Sequence, residues 1–254
     1  MAKIAIATLL KGIGINFTQW KETLVIIRNQ SIRQNFNGEC DLIFFHEGDL
    51  HEEYMAKIKY SRLLNFNVKF IEVPNFRLSE GELSVLKPDI LDMGNVRTGY
   101  SSMCRFWAYF FMEYLKEYDY VIRLDDDCIA LTDINNVIEN LEKTYLTFPH
   151  LGQEDLRHGL EDFMKMYFDK PVIDEKRVGV PYTNFCGFNL NKIRKDKRIL
   201  NFFKEIENNQ FIHKYAWTDT LLWGIIMKYL LKEGDWKEVR EVKYIHLSHL
   251  TYVN

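Results

Sequence analysis

The chain alternates between short, almost continuously apolar runs and longer segments with helical spacing. "KIAIATLL" (3–10) reads as a strand, and Trp20, Leu24 and Ile27 then share one face of a helix with Thr18 as its candidate N-cap. "DLIFFHE" (41–47) is a second buried strand, and a polar helix over 50–63 follows. "NVKFIEVP" (67–74) is a third strand and stops at a proline. This β-α-β-α-β rhythm is that of a parallel sheet covered by helices. Residues 75–99 lack periodicity, and so long a loop inside a compact domain is usually functional or disordered. An amphipathic helix over 100–117, carrying Trp107, Phe110, Phe111, Tyr114 and Leu115, then leads into a strand at 119–124. That strand runs directly into Asp125, Asp126 and Asp127.

In the second half "VPYTNFCGFNLNKI" (180–193) reads as a strand and turn, and "KRILNFFKEIENN" (197–209) as a helix. "TDTLLWGIIMKYLL" (218–231) is a further helix, capped by Thr218 and apolar all round its middle, as a buried helix is. "EVKYIHLSHL" (241–250) is a terminal strand or extended tail. No repeat or low-complexity linker divides the chain, so residues 1–254 are expected to form one domain.

Composition narrows the function classes. The 33 basic and 36 acidic residues are interspersed and leave a net charge of −3, so there is no basic stripe for nucleic acid. No run of 18 apolar residues marks a transmembrane segment. "MAKIAIATLLKGIG" lacks a small-x-small cleavage pattern and reads as the first strand rather than a signal peptide, so a soluble, cytoplasmic protein is expected. Cys40, Cys104, Cys128 and Cys186 form no CxxC pair, which favours buried free thiols in a reducing compartment over a zinc knuckle. The 18 Phe, 14 Tyr and 5 Trp are expected to build a core before they build sugar-binding walls.

The acidic triplet carries the candidate chemistry. Carboxylates at the carboxyl end of a strand lie where ligands bind in open α/β sheets. In an extended segment Asp125 and Asp127 share a face and Asp126 points away, so the first two need a cation, for which oxygen ligands suit Mg²⁺ or Mn²⁺. Other readings remain open. The triplet is a weaker helix cap than Asp133, and Ala130 stands where an EF-hand needs glycine. A solvated turn is a further reading. A phosphatase of the haloacid-dehalogenase type also ends a strand in Asp-x-Asp, but normally its first strand. Three strands, a long loop, a helix and a strand ending in Asp-x-Asp together point to a nucleotide-sugar transferase. The expected fold is a single α/β domain, GT-A-like (Rossmann-like), with a mixed, mostly parallel central sheet flanked by helices.

"YSSMCRFWAYFF…YDYVIRLDDD" (100–127) resembles the fungal Golgi α-1,2-mannosyltransferases, which carry Tyr, Met-Cys-Arg-Phe, an aromatic helix and a Tyr-rich strand ending in an acidic triplet. "YTNFCGFNL" (182–190), "WTDTLLWGII" (217–226) and "VKYIHLSH" (242–249) follow in the family's order, so the resemblance spans nearly the whole chain. It implies a retaining enzyme that uses GDP-mannose and Mn²⁺ (or Mg²⁺) and glycosylates a glycan or glycolipid acceptor. Residues 1–130 become the nucleotide-sugar-binding half and 131–254 the acceptor-side half. Asp125, Asp127 and His246 map to the metal, with His249 the alternative histidine. Asp126 maps towards the donor's sugar or ribose, and Asp219 of Trp-x-Asp lies near the acceptor. Arg105 suits a diphosphate or an acceptor hydroxyl, and Thr8 and Leu9 at the end of the first strand should line the nucleotide.

The sequence also departs from the family. Its triplet lacks the usual Glu and Pro, and its helix–strand linker is shorter. Where the family has a glutamate once considered as a nucleophile, this chain offers Asn189 or Cys186. With Asn189 there, the resemblance implies front-face departure, the leaving phosphate helping to deprotonate the acceptor while Asn189 orients the sugar.

Overall fold

The computed structural model describes residues 2–10, 19–60, 66–74, 76–79, 81–82, 96–168, 176–247 and 251–253. Its strands are β1 (Ile4–Leu9), β2 (Asp41–His46), β3 (Asn67–Glu72), β4 (Tyr120–Leu124), β5 (Cys128–Ala130), β6 (Leu146–Phe148), β7 (Leu151–Asp155), β8 (Arg177–Pro181), β9 (Phe185–Asn189), β10 (Trp236–Glu238), β11 (Tyr244–His246) and β12 (Thr251–Val253). The helices are α1 (Gln19–Asn35), α2 (Glu52–Lys59), α3 (Val96–Ala108), α4 (Asn135–Leu141), α5 (Leu160–Phe168), α6 (Leu190–Lys195), α7 (Lys197–Asn208), α8 (Phe211–Tyr215) and α9 (Asp219–Tyr229).

Among the described residues a seven-stranded sheet runs in the order β10-β6-β9-β4-β1-β2-β3. Strands β4, β1, β2 and β3 pair parallel, β9 is antiparallel to both its neighbours, and β10 is parallel to β6. The sheet is therefore mixed and mostly parallel, and it joins strands from both halves of the chain. Its strands read as apolar runs because both faces are covered. Ala5, Ala7 and Val121 face one core with Phe111, Trp217 and Trp223. Ile6, Phe44, Ile122 and Leu124 face a second core against α1 and α2. Most of the aromatic residues pack in the first core, as expected. The four cysteines are unpaired, and Cys104, Cys128 and Cys186 are buried.

Three helices differ from the sequence reading. Helix α1 does not bury Leu24 and Ile27; its covered face carries Val25, Arg28, Asn29, Ser31 and Ile32, and Ile27 is exposed. The polar residues win that face because they satisfy the backbone of the acidic segment. Asn35 donates to the Ala130 carbonyl (3.1 Å), and the Ser31 hydroxyl accepts from the Ala130 amide (3.0 Å). Helix α2 is shorter than 50–63, starting after His51, whose ring accepts from the Glu53 amide. Helix α3 starts earlier than 100 and ends at Ala108, where Tyr109 leaves helical geometry (φ −157°, ψ −25°) before a 3₁₀ turn at Phe110–Glu113. The candidate cap Thr18 and most of the long loop lie outside the described residues.

One contact between α3 and α8 has a pH signature. His213 shares a hydrogen bond with the Ser102 hydroxyl at 3.3 Å. Burial, with the Arg105 charge beside it, lowers its pKa from 6.5 to about 4. The folded state keeps the ring neutral, while the unfolded chain takes up a proton below pH 6.5. This contribution to stability is therefore whole above 6.5 and is lost as pH falls towards 4. His213→Gln is expected to flatten the acid limb of stability in that window. Urea midpoints taken on both sides of it check this, and an unchanged slope contradicts it.

Candidate active site

The chain reverses its strand order between β1 and β4: β2 and β3 lie on one side of β1, and β4 and β9 on the other. Ligands of open α/β sheets bind at such a switch, outside the carboxyl ends of the strands. A cavity of about 450 Å³ opens there, lined by Leu9 at the end of β1 and by Asp125, Asp126 and Asp127 after β4.

Strand β4 stops at Leu124, and the triplet forms a turn rather than a continued strand. The Cys128 amide donates to the Asp125 carbonyl (3.1 Å), closing the turn, and the Asp125 amide donates to the Asn184 carbonyl (3.0 Å). The expected alternation, with Asp126 pointing away, does not apply to a turn, and all three aspartates line the cavity. From behind, buried Arg28 clamps the junction. Its Nε and Nη2 donate to the Leu124 carbonyl (3.1 and 2.7 Å), and Nε also reaches the Asp125 carbonyl (3.1 Å). Sequence reasoning missed Arg28, because its signal is a charged residue on the covered face of an amphipathic helix.

After the turn, β5 pairs antiparallel with β11, setting His246 opposite Cys128. The Leu247 amide donates to the Asp127 carbonyl (3.1 Å). These bonds bring His246 Nε2 to 3.3 Å from the Asp127 carboxylate. The ligand atoms of Asp127, Cys128 and His246 lie within 4.8 Å of one another. Cys128 is buried in the apolar core, so the carboxylate and imidazole are the groups that face the cavity. The alternative histidine, His249, lies outside the described residues.

Asp125 and Asp219 are joined by an arginine that sequence reasoning passed over. Arg123 is 3% exposed and lies between the small residues Ala7 of β1 and Cys186 of β9, which leave room for its guanidinium. Nε and Nη2 grip both Asp125 oxygens (2.7 and 2.9 Å), and Nη1 reaches Asp219 (2.6 Å). The guanidinium also lies over Trp107, 4.7 Å from a ring centroid. Burial raises the Asp125 pKa, against the opposing pull of Arg123. Held by two nitrogens, Asp125 is a poor nucleophile, which counts against the phosphatase reading. Asp219 begins α9 behind the Thr218 cap, as expected, and lines the cavity; its Oδ2 also accepts from Thr183 (2.6 Å).

Two candidates fall away from the site. Asn189 pairs with Tyr120 at the start of β4, at the opposite end of the strand from the triplet. Its side chain caps α6, accepting from the Lys192 amide (2.9 Å) and donating to the Leu141 carbonyl (2.6 Å). An asparagine between a strand and a helix is a cap before it is a catalyst. Arg105 turns away as well, paired with Glu207 of α7 (2.5 Å) and stacked over Phe110. Thr8 is buried, and its hydroxyl has no partner among the described residues. The cavity also contains Glu154 and Arg157, which no sequence motif marked. In all, Asp125, Asp126, Asp127, Glu154 and Asp219 face only Arg123 and Arg157 as permanent cations among the described lining residues.

No family model and no curated protein matches this sequence. Solved structures do. The mannosyltransferase Ktr4p from S. cerevisiae is similar over 96% of this chain and 70% of its own, at 16% identity and a TM-score of 0.72. Core-mannan synthase A from Aspergillus fumigatus, in a Mn/GDP form, is similar over 97% and 75%, at 16% identity and a TM-score of 0.73. Mouse xyloside xylosyltransferase 1 is similar over 93% and 85%, at 14% identity and a TM-score of 0.58. At these identities the likeness is one of fold, and the fold is the GT-A fold of glycosyltransferases. No helix among the described residues is long and apolar enough to cross a membrane.

Proposed function

We propose that this chain is a metal-dependent, retaining glycosyltransferase that moves mannose from GDP-mannose to a glycan or glycolipid hydroxyl in α-linkage. The observation that carries the proposal is the Asp127–His246 pair, 3.3 Å apart on the wall of a carboxylate-rich cavity at the strand switch. Carboxylate oxygens suit Mn²⁺ or Mg²⁺, and the imidazole favours Mn²⁺, the softer of the two. The donor set fits such an ion, because the excess of carboxylates repels an anionic diphosphate unless a cation lies between them. Asp127 and His246 would hold it; Asp125, the third expected ligand, has both oxygens on Arg123 and lies outside that cluster of ligand atoms. A cation held there would supply charge neutralisation of the diphosphate leaving group. The Mn/GDP form of the A. fumigatus structure, similar in fold, supports this reading.

The chain's own residues supply the rest. Arg157 lines the cavity and offers a planar guanidinium to phosphate oxygens. Leu9, with Thr8 behind it, closes the end of β1 towards base and ribose, and Asp126 faces the donor's ribose or sugar. Arg123 fixes Asp125 and Asp219 as one unit, so Asp219 acts through Arg123. With Asn189 in a cap and Cys186 buried in β9, neither position offers a nucleophile, which favours front-face departure with the phosphate taking the acceptor's proton. Residues 1–130 then supply most of the nucleotide side, His246 crosses over to it, and β7–β9 with α9 supply the acceptor side.

The test is product formation. The full chain is incubated with GDP-mannose or UDP-glucose and methyl α-mannoside, with and without Mn²⁺. The expected result is Mn²⁺-dependent release of GDP and an α-linked mannosyl product. Release of UDP alone overturns the donor, and no release from either overturns the enzyme in favour of a nucleotide-sugar-binding module.

A further inference from the structure

We infer that the β7–β8 ribbon carries a preformed subsite for the pyranose ring of the acceptor, with Tyr182 as its platform and Glu154 as its hydroxyl acceptor. The subsite rests on the glycosyltransferase reading for its role, but not for its chemistry.

Tyr182 follows β8, and its amide donates to the His150 carbonyl at 3.0 Å. The ring stacks on His150 with centroids 4.6 Å apart and planes 15° apart. It also lies against Gly152, where an added Cβ would meet the ring at 3.1 Å. Glycine is therefore what lets the tyrosine settle onto the ribbon. The residue is nevertheless 41% exposed, and it lines the same cavity as the aspartate turn. A large aromatic ring fixed in place and left open at a cavity wall is suited to an amphipathic ligand: the apolar face of a pyranose covers it while the hydroxyls stay outward.

The polar partner stands beside it. Gly152 and Glu154 are two apart on β7, so they share a face with their Cα atoms roughly 7 Å apart. The Glu154 carboxylate is oriented by the Thr218 hydroxyl (2.9 and 3.0 Å), the Thr220 hydroxyl (2.7 Å) and the Arg157 Nη2 and Nε (3.0 and 3.3 Å). Thr218 has a single hydroxyl proton for its two contacts, and the Thr220 proton also reaches the Thr218 oxygen (2.9 Å); with Thr220 donating there, Thr218 and Arg157 fill three of the about four places an ionised carboxylate offers. Capacity remains for a hydroxyl of the ligand. Carboxylate and ring, each held by its own neighbours, form a site organised before the ligand arrives.

Saturation-transfer NMR of the full chain with methyl α-mannoside, α-glucoside and α-galactoside, in the presence of GDP and Mn²⁺, tests this. At least one glycoside is expected to bind. Tyr182→Ala is expected to weaken it about fivefold, as loss of one aromatic contact implies, with Tyr182→Phe close to wild type. Glu154→Gln is expected to weaken it as well, and Gly152→Ala to do so by pushing the ring aside. GDP affinity should not change in Tyr182→Ala, Tyr182→Phe or Gly152→Ala. Binding of none of the three glycosides, or wild-type binding by both Tyr182→Ala and Gly152→Ala, overturns the subsite. Glycoside binding by a wild-type chain that fails to bind GDP with Mn²⁺ supports the subsite and overturns the transferase reading instead.

Discussion

Asp127→Ala and His246→Ala are each expected to lower mannosyl transfer by about two to three orders of magnitude, as losing several kcal/mol of transition-state stabilisation implies. The two side chains face each other at 3.3 Å because β11 is zipped to β5 and the Leu247 amide holds the Asp127 carbonyl. They are presented as a pair, and groups acting as one unit do not add. The double variant should therefore be little worse than either single one. Neither substitution opens the core, since both residues are only half-buried, so the melting temperature should change little. Turnover of GDP-mannose at saturating Mn²⁺ measures the effect. Loss of less than fivefold in both singles, or a double loss equal to the product of the singles, contradicts a shared ion.

Arg123→Met carries the largest expected cost in stability. The guanidinium holds Asp125 through two hydrogen bonds and buried Asp219 through a third, and it covers Trp107. Removing it strands the buried Asp219 carboxylate and leaves Asp125 without its counter-ion, and breaking one side of a buried pair costs about 3–5 kcal/mol. For a chain of this size that corresponds to a melting temperature lower by roughly 10 °C. Adding Asp219→Leu to Arg123→Met should recover part of the loss, because it removes one stranded charge. Chemical denaturation of the wild type, both singles and the double separates this coupling from simple loss of packing. Additive losses, or an Arg123→Met chain within 1 kcal/mol of wild type, contradict the account; coupled sites deviate from additivity by about that much or more.

Strand positions were legible because both faces of the sheet are covered, so β1, β2 and β4 are mostly apolar, with Thr8 and Arg123 the polar residues inside β1 and β4. The buried helix at Thr218 was legible from its cap and its apolar middle, and the triplet from its place after a strand. What escaped the sequence depends on partners distant in the chain. Arg28 sits 96 residues from the Leu124 carbonyl it clamps, and Arg123 the same distance from Asp219. Nothing local distinguishes those arginines from Arg105, which pairs with Glu207 instead. The turn at Asp125–Cys128 is set by one backbone hydrogen bond, and it replaced strand alternation with convergence of all three carboxylates. Asn189 was misassigned for a similar reason: its motif carries no sign that the strand runs away from the site. Glu154 and Tyr182 come together only when β7 and β8 pair.

The central claim is that the acidic turn and His246 form a cation-dependent diphosphate site. Calorimetric titration of GDP into the full chain, with Mn²⁺ and again with a chelator, tests it most directly. Saturable GDP binding with Mn²⁺ is expected, disappearing with the chelator and in His246→Ala. GDP binding of equal affinity under both conditions, or no binding under either, would contradict it.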